Sequence, residues 1–288
     1  MAVKIHKSRG PTARLRNVAR EFSFPADVKV KRGEKFAYTG KVTASVLEYA
    51  FLKLRGKRPD LDGIIRRRTA GRVFTTAYGK FQLALTVDDI RQGLHDINRE
   101  SYAVFAKYVR PGKVVCDVGA HIGTHTLKMA DAVGENGRVI AVEPHADNFD
   151  LLCLNVEIND FAARVVPIRA ALSTARGKAK LFNPTTADKS MYFSLTRESE
   201  NYEVVDTIDI DGVFENSGVD VIDFMKIDIE GAEERLLLSE KESFFGGKIK
   251  TIYVDAHEEV DYSAIAAHVK NFGYKHETQE KGHLFTLE

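Results

Sequence analysis

The chain has little cysteine, 2 residues in 288. Cys116 and Cys153 cannot supply a disulfide framework or a cysteine-rich zinc module. Long apolar runs are missing as well. The longest nearly apolar stretch, residues 46–54, is broken by Glu48 and Lys53, and it falls far short of the roughly 20 residues that span a bilayer. The opening MAVKIHKSRG lacks the apolar segment of a secretory leader. These absences lead us to expect a soluble, cytoplasmic protein of a reducing compartment. Net charge is nearly absent too, at +1, but a split lies beneath it: residues 1–80 carry 20 Lys/Arg against 6 Asp/Glu, and the remainder 22 against 35. A basic segment that meets an anionic partner, or is simply a solvated face, is expected beside an acidic body. What is present is ample apolar material, 44% of residues with 29% charged, enough to bury a core.

Residues 1–40 are basic and punctuated by Gly10-Pro11, Pro25, Gly33 and Gly40, which predicts loops and short elements. Residues 42–55 have helical spacing, stopped by Gly56 and Pro59. A basic stretch ending in Arg66-Arg67-Arg68 follows, then a hairpin of residues 72–76 and 80–86 around Ala77-Tyr78-Gly79. Residues 88–109 read as helix. From Lys113 the pattern becomes regular. Strands at 114–118, 138–142, 165–171, 221–227 and 249–256 alternate with helices, which predicts a parallel, doubly wound α/β sheet. Residues 274–278 and 283–287 close it as an antiparallel pair. Between 173 and 220 the alternation breaks, with extra strands at 179–182 and 204–210 around a polar loop. The expected organisation is a basic extension (1–71), a hairpin and helix leading into the core (72–112), and a catalytic domain (113–288).

The first core strand ends in Asp117-Val118-Gly119-Ala120-His121-Ile122-Gly123, immediately before a helix. In an open α/β sheet ligands bind where strands end and the strand order reverses. The glycines let backbone approach a ligand, and the helix start offers N–H groups. The spelling is D-x-G-x-x-x-G, not the dinucleotide G-x-G-x-x-G, because His121 fills the second glycine position; this disfavours an oxidoreductase. The second strand ends in Glu143, whose carboxylate can accept from both hydroxyls of a ribose.

The stretch from Val114 to Gly123, with Val142-Glu143-Pro144 and Asn155, resembles the class I S-adenosylmethionine-dependent methyltransferases. Met225-Lys226-Ile227-Asp228-Ile229-Glu230-Gly231-Ala232-Glu233 resembles the K-[IV]-D-[VI]-E-G-x-E signature of the FkbM methyltransferase family. The likeness runs from about residue 72 to 288, and His121 and His125 depart from the usual pattern. It implies a Rossmann-like fold with S-adenosylmethionine as cofactor. Asp117 and the backbone of Gly119, Ala120, His121 and Gly123 would hold the methionine moiety, Glu143 with Pro144 the ribose, and Ala171 would lie beside the adenine.

At the reacting end stand Asp228, Glu230 and Glu233. Asp228 should face the methyl group, Glu230 follows in the turn, and Glu233 reads as a helix cap. Asp255 and His257 end the next strand, and His257 is a candidate general base. A hydroxyl nucleophile must lose its proton to such a base or to a metal-activated state. Asp228, Glu230, Asp255 and His257 offer metal ligands, though their spacing does not demand a metal; His121 and His125, four apart, are weaker candidates. Two substrate classes stand open. One is a sugar or other hydroxylated metabolite or glycan, O-methylated, a class implied by the family resemblance. The other is RNA docked on the basic amino-terminal segment. A membrane surface is a third use for that segment and would make the enzyme peripheral to a membrane. A cofactor-binding protein without catalysis is argued against by Asp228 and Glu230.

Overall fold

The structure, a computed structural model, describes residues 31–59, 61–69, 72–76, 79–83, 101–183, 193–239 and 242–288. The chain divides into two compact units, Met1–Leu94 and His95–Glu288. The division falls within residues 72–112, the hairpin and helix expected to lead into the core.

In the first unit, helix α1 (Arg32–Leu54) is followed by α2 (Leu61–Thr69) and an antiparallel pair, β1 (Arg72–Thr76) and β2 (Gly79–Leu83). Two sequence expectations change here. The helix begins at Arg32, through Gly33 and Gly40, where loops were expected. Tertiary contacts override the glycine cost: Tyr38 is buried edge-to-face on Phe74 at 5.5 Å, and Glu34 accepts from the Thr75 N–H and hydroxyl at 3.1 and 3.2 Å. The basic stretch after Pro59 is helical, because it buries Ile64 and Ile65 while Arg67 and Arg68 pair with Glu48 of α1 at 3.0 and 2.8 Å. The hairpin forms, with Gly79 already in the second strand instead of the turn; turn residues 77–78, residues 84–86 of the expected strand and residues 88–100 of the expected long helix lie outside the described residues.

The second unit opens with α3 (Ser101–Tyr108) and continues β3 (Val114–Val118), α4 (Thr124–Val133), β4 (Arg138–Val142), α5 (Ala146–Ile158) and β5 (Val165–Ile168). Next come β6 (Ala171–Leu172), β7 (Gly177–Phe182), β8 (Tyr202–Ile208) and α6 (Ile210–Ser217). The chain ends with β9 (Phe224–Ile227), α7 (Glu233–Leu237), α8 (Glu242–Phe245), β10 (Thr251–Asp255), α9 (Tyr262–Lys270), β11 (Tyr274–Gln279) and β12 (Gly282–Leu287). Seven strands make one sheet in the order β11-β12-β10-β9-β3-β4-β5, parallel from β10 to β5 and closed by the antiparallel β11-β12 pair. The Rossmann-like, doubly wound α/β reading is what the sheet shows. The central strands are buried on both faces: Cys116, Val118, Ile140, Val142, Met225 and Ile227 belong to the core on one, and Val115, Val139 and Phe224 are buried on the other. Each large aliphatic contributes roughly 1.5–3 kcal/mol. The third core strand is shorter than expected. It stops at Ile168, and Ala171–Leu172 leaves for a second, three-stranded sheet, β6-β8-β7. From β3 the chain moves outward through β4 and β5, then returns to place β9 on the other side of β3. The order therefore reverses between β3 and β9, and the crevice lies at their carboxyl ends.

Candidate active site

Gly119 and Asp228 leave adjacent strands at this crevice. Gly119 has φ +81°, and a Cβ on it would lie 1.9 Å from the carbonyl oxygen of Asp228, so only glycine lets the two strand ends meet. The Gly119 and Ala120 N–H groups donate to the Val142 carbonyl at 3.0 and 3.1 Å, and that of Gly123 to Ala120 at 2.9 Å. The loop thus uses these donors on itself, and what it offers a ligand is close approach. Asn155 of α5 holds the loop from below, donating to the Ile122 carbonyl at 2.7 Å.

Asp117 is fully buried. Its Oδ2 accepts from the Thr126 hydroxyl at 2.6 Å, while its Oδ1 has no hydrogen-bond partner among the described residues. Burial raises its carboxyl, opposed by Lys226 and Thr126. Glu143, 5% exposed, accepts from the N–H of His121 at 2.8 Å and of His145 at 2.9 Å. Burial still pushes its carboxyl up to about 7. His121 itself sits at φ 51°. Burial lowers His121 to about 4 and His125 to about 3, so both are neutral. Pro144, half-buried, links Glu143 to the cap of α5. Ala171 is not gathered with this group: it is buried with Leu181 and Val205 in the small sheet. The β5 atom that reaches Glu143 is the Ile168 carbonyl, which accepts its N–H at 3.1 Å.

The reacting end is a charge network. Lys226, 1% exposed in the middle of β9, donates to Asp228 Oδ2 at 2.9 Å and pairs with Asp255 Oδ2 at 3.2 Å. Burial favours a neutral amine, but Asp228, Asp255 and Asp117 hold it firmly charged. Burial also works against ionised Asp228, and Lys226 overcomes it, keeping that carboxyl below its usual range. Asp255 is pushed up to about 7 by burial against the pull of Lys226. Glu230, in the left-handed region at φ 53°, is raised to about 7 by burial and then by Asp228. Glu233 is fully buried and accepts from the N–H groups of Ile229 and Gly231, both at 2.9 Å. It fixes the turn between β9 and α7, the structural part expected of it. His257 points Nδ1 at Glu233 Oε1, 3.1 Å away, and Nε2 at Asp228 Oδ1 and Glu230 Oε2, 3.7 and 3.8 Å away. Burial would lower its pKa, but Glu233, Asp228 and Glu230 raise it to about 9. The surrounding carboxylates thus favour the charged imidazole over the neutral form that a general base or a metal ligand presents.

Three contributors had no signal in the sequence. Ser194 donates to the Glu230 carbonyl at 2.7 Å, and Arg197 binds Glu230 Oε2 at 2.8 Å while also pairing with Glu259. Phe193 stacks on His145 at 4.2 Å. Residues 193–197 thus touch both the Glu143 end and the Glu230 end. A cleft of about 410 Å³ at the edge strand β5, with Arg169, Asp206 and Asn216 in its wall, includes none of these carboxylates.

The profile of the methyltransferase FkbM domain matches residues 117–276. No curated protein sequence matches the chain. Among solved structures, the methyltransferase FkbM from Methylobacillus flagellatus KT is 16% identical at a TM-score of 0.42, covering 87% of this chain and 62% of its own. TYW2 from M. jannaschii, solved in complex with AdoMet, is 18% identical at a TM-score of 0.41, covering 74% and 82%. A SAM-dependent methyltransferase from Aquifex aeolicus is 14% identical at a TM-score of 0.38, covering 65% and 86%.

Proposed function

The chain belongs to the FkbM methyltransferase family, and from that premise we propose that it transfers a methyl group from S-adenosylmethionine to a hydroxyl oxygen of a sugar or other hydroxylated metabolite. The observation that carries this reading is the cradle at the β3/β9 crevice. There a glycine whose Cβ would strike Asp228 lies beside a buried Asp117 with one unpartnered oxygen. Both features suit a ligand that bears a positive charge and needs close backbone approach. When bound, S-adenosylmethionine supplies an electrophilic methyl group on a cationic sulfur.

The chain's own residues do the rest. Asp117 and the loop 119–123 hold the amino-acid end, and Glu143 accepts from the ribose hydroxyls. Lys226 keeps Asp228 ionised beside Gly119, so a fixed negative charge faces the reacting centre without reorganisation. The acceptor hydroxyl meets Asp228 and Glu230, whose carboxylates take its proton beside His257, and alignment of nucleophile, methyl and sulfur supplies much of the acceleration. The test is labelled-methyl transfer from S-adenosylmethionine into fractionated extracts. Label in a hydroxylated small molecule or glycan supports the reading, and label confined to RNA replaces it with the RNA reading.

For the basic unit we propose an anionic partner. Lys53, Arg55, Lys57 and Arg58 are exposed at the end of α1 beside exposed Phe51, whereas Arg67 and Arg68 are already committed to Glu48. Among the described residues no helix is long and apolar enough to cross a membrane. A cytoplasmic enzyme, held at a membrane surface when the acceptor is lipid-linked, accords with this reading.

A further inference from the structure

Asp228, Glu230 and His257 each offer one possible ligand atom, and these atoms all lie within 4.8 Å of one another. The imidazole nitrogen is 3.7 Å from one carboxylate oxygen and 3.8 Å from the other. These separations are too long for hydrogen bonds and lie within the roughly 4.2 Å that two donors, each about 2.1 Å from one ion, can span. Glu233 Oε1 lies 3.1 Å from the far nitrogen Nδ1, an ion-pair contact whose angle falls short of a hydrogen bond. Glu233 is itself fixed by the Ile229 and Gly231 N–H groups, so the charge that faces Nδ1 stands on a rigid turn.

Charge points the same way. Around this centre stand Asp117, Asp228, Glu230, Glu233, Asp255 and Glu259, opposed by Lys226, Arg197 and the His257 proton, which a bound cation displaces. Lys226 engages Asp228 through Oδ2, leaving Oδ1 directed at the histidine. Arg197 shares Glu230 Oε2, and a carboxylate oxygen has a second lone pair for another partner.

We propose that Asp228, Glu230 and His257 bind one divalent cation of the magnesium or manganese class, with its remaining positions open for water and for the acceptor hydroxyl. Two carboxylates and one imidazole suit such an ion, and three protein ligands leave room for exchangeable ones. The site stands on these residues alone. Its role rests on the methyl-transfer reading: the cation holds the acceptor oxygen beside the methyl group and lowers the cost of removing its proton to water.

The experiment is titration of the full chain with Mn²⁺, followed by electron paramagnetic resonance, with S-adenosylhomocysteine binding measured by calorimetry on the same preparation. The expected result is one bound Mn²⁺ per chain, weakened at least about 10-fold in Glu230→Gln and in His257→Gln and unchanged in Glu277→Gln on β11. Absence of stoichiometric Mn²⁺ from the unsubstituted chain, or full affinity in both site variants, overturns the proposal. The calorimetric arm separates the two readings: S-adenosylhomocysteine bound without Mn²⁺ removes the metal site alone, and Mn²⁺ bound without S-adenosylhomocysteine removes the cofactor reading alone.

Discussion

Lys226 is a cation in the middle of a strand whose other residues are apolar, with two carboxylates as partners. Removing one member of such a buried group leaves the others uncompensated. Lys226→Met should therefore destabilise the fold by roughly 3–5 kcal/mol, read from urea unfolding; a change within 1 kcal/mol, roughly the worth of an exposed ion pair, would show the lysine to be dispensable. Asp228→Asn should keep the fold and lower turnover about 10²-fold or more, checked by initial rates on the identified acceptor beside a thermal melt. Glu143 gives a pH prediction. Its carboxyl, raised to about 7 by burial, binds its proton more tightly in the folded chain than in the unfolded one. Its contribution to stability is thus full below about pH 4.5, the ordinary value, and is lost as pH rises through about 7. The melting temperature should fall less between pH 5 and 8 in Glu143→Gln than in the unsubstituted chain. Ribose hydroxyls donate to the ionised form, so cofactor affinity should rise over the same interval, and a flat profile would remove Glu143 from the ribose.

The elements divide by how locally they are specified. β3, β4, β9 and β10 were legible because a strand buried on both faces is a short apolar run. Asp117, Glu143, Asp228 and Asp255 were legible because they punctuate the ends of such runs. Lys226 could be quoted inside a motif but given no role, since its meaning depends on Asp255 arriving from the next strand. Phe193, Ser194 and Arg197 were illegible: they come from a segment with no periodicity and reach the site through contacts 33 to 62 residues away in sequence for Arg197. The early start of α1 was hidden for the same reason, because Glu34 and Tyr38 are paid back by Thr75 and Phe74. The segment 193–197 yields its own prediction. Arg197→Ala should free Glu230 and lower turnover while leaving cofactor affinity within about 2-fold, a split expected when a group supports only the reacting end. Equal losses in both would make the segment a general structural support.

At the scale of the molecule, a basic unit and an acidic methyltransferase unit share one chain. If the exposed charges at the end of α1 serve an anionic partner, then replacing Lys53, Arg55, Lys57 and Arg58 together by glutamate should abolish salt-sensitive binding, and methyl transfer to a soluble acceptor should persist. Co-sedimentation with phosphatidylserine vesicles and filter binding of RNA, both across a salt series, tell the two partners apart; no binding to either returns the charges to a solvated face. The claim on which the rest depends is that the crevice between β3 and β9 holds S-adenosylmethionine. Calorimetric titration of the full chain with S-adenosylhomocysteine and with NAD, repeated on Asp117→Ala and Glu143→Ala, tests it most directly. The account predicts one S-adenosylhomocysteine per chain, no NAD, and a loss of ~1–3 kcal/mol in each variant; NAD binding, or S-adenosylhomocysteine bound equally well by both variants, would contradict it.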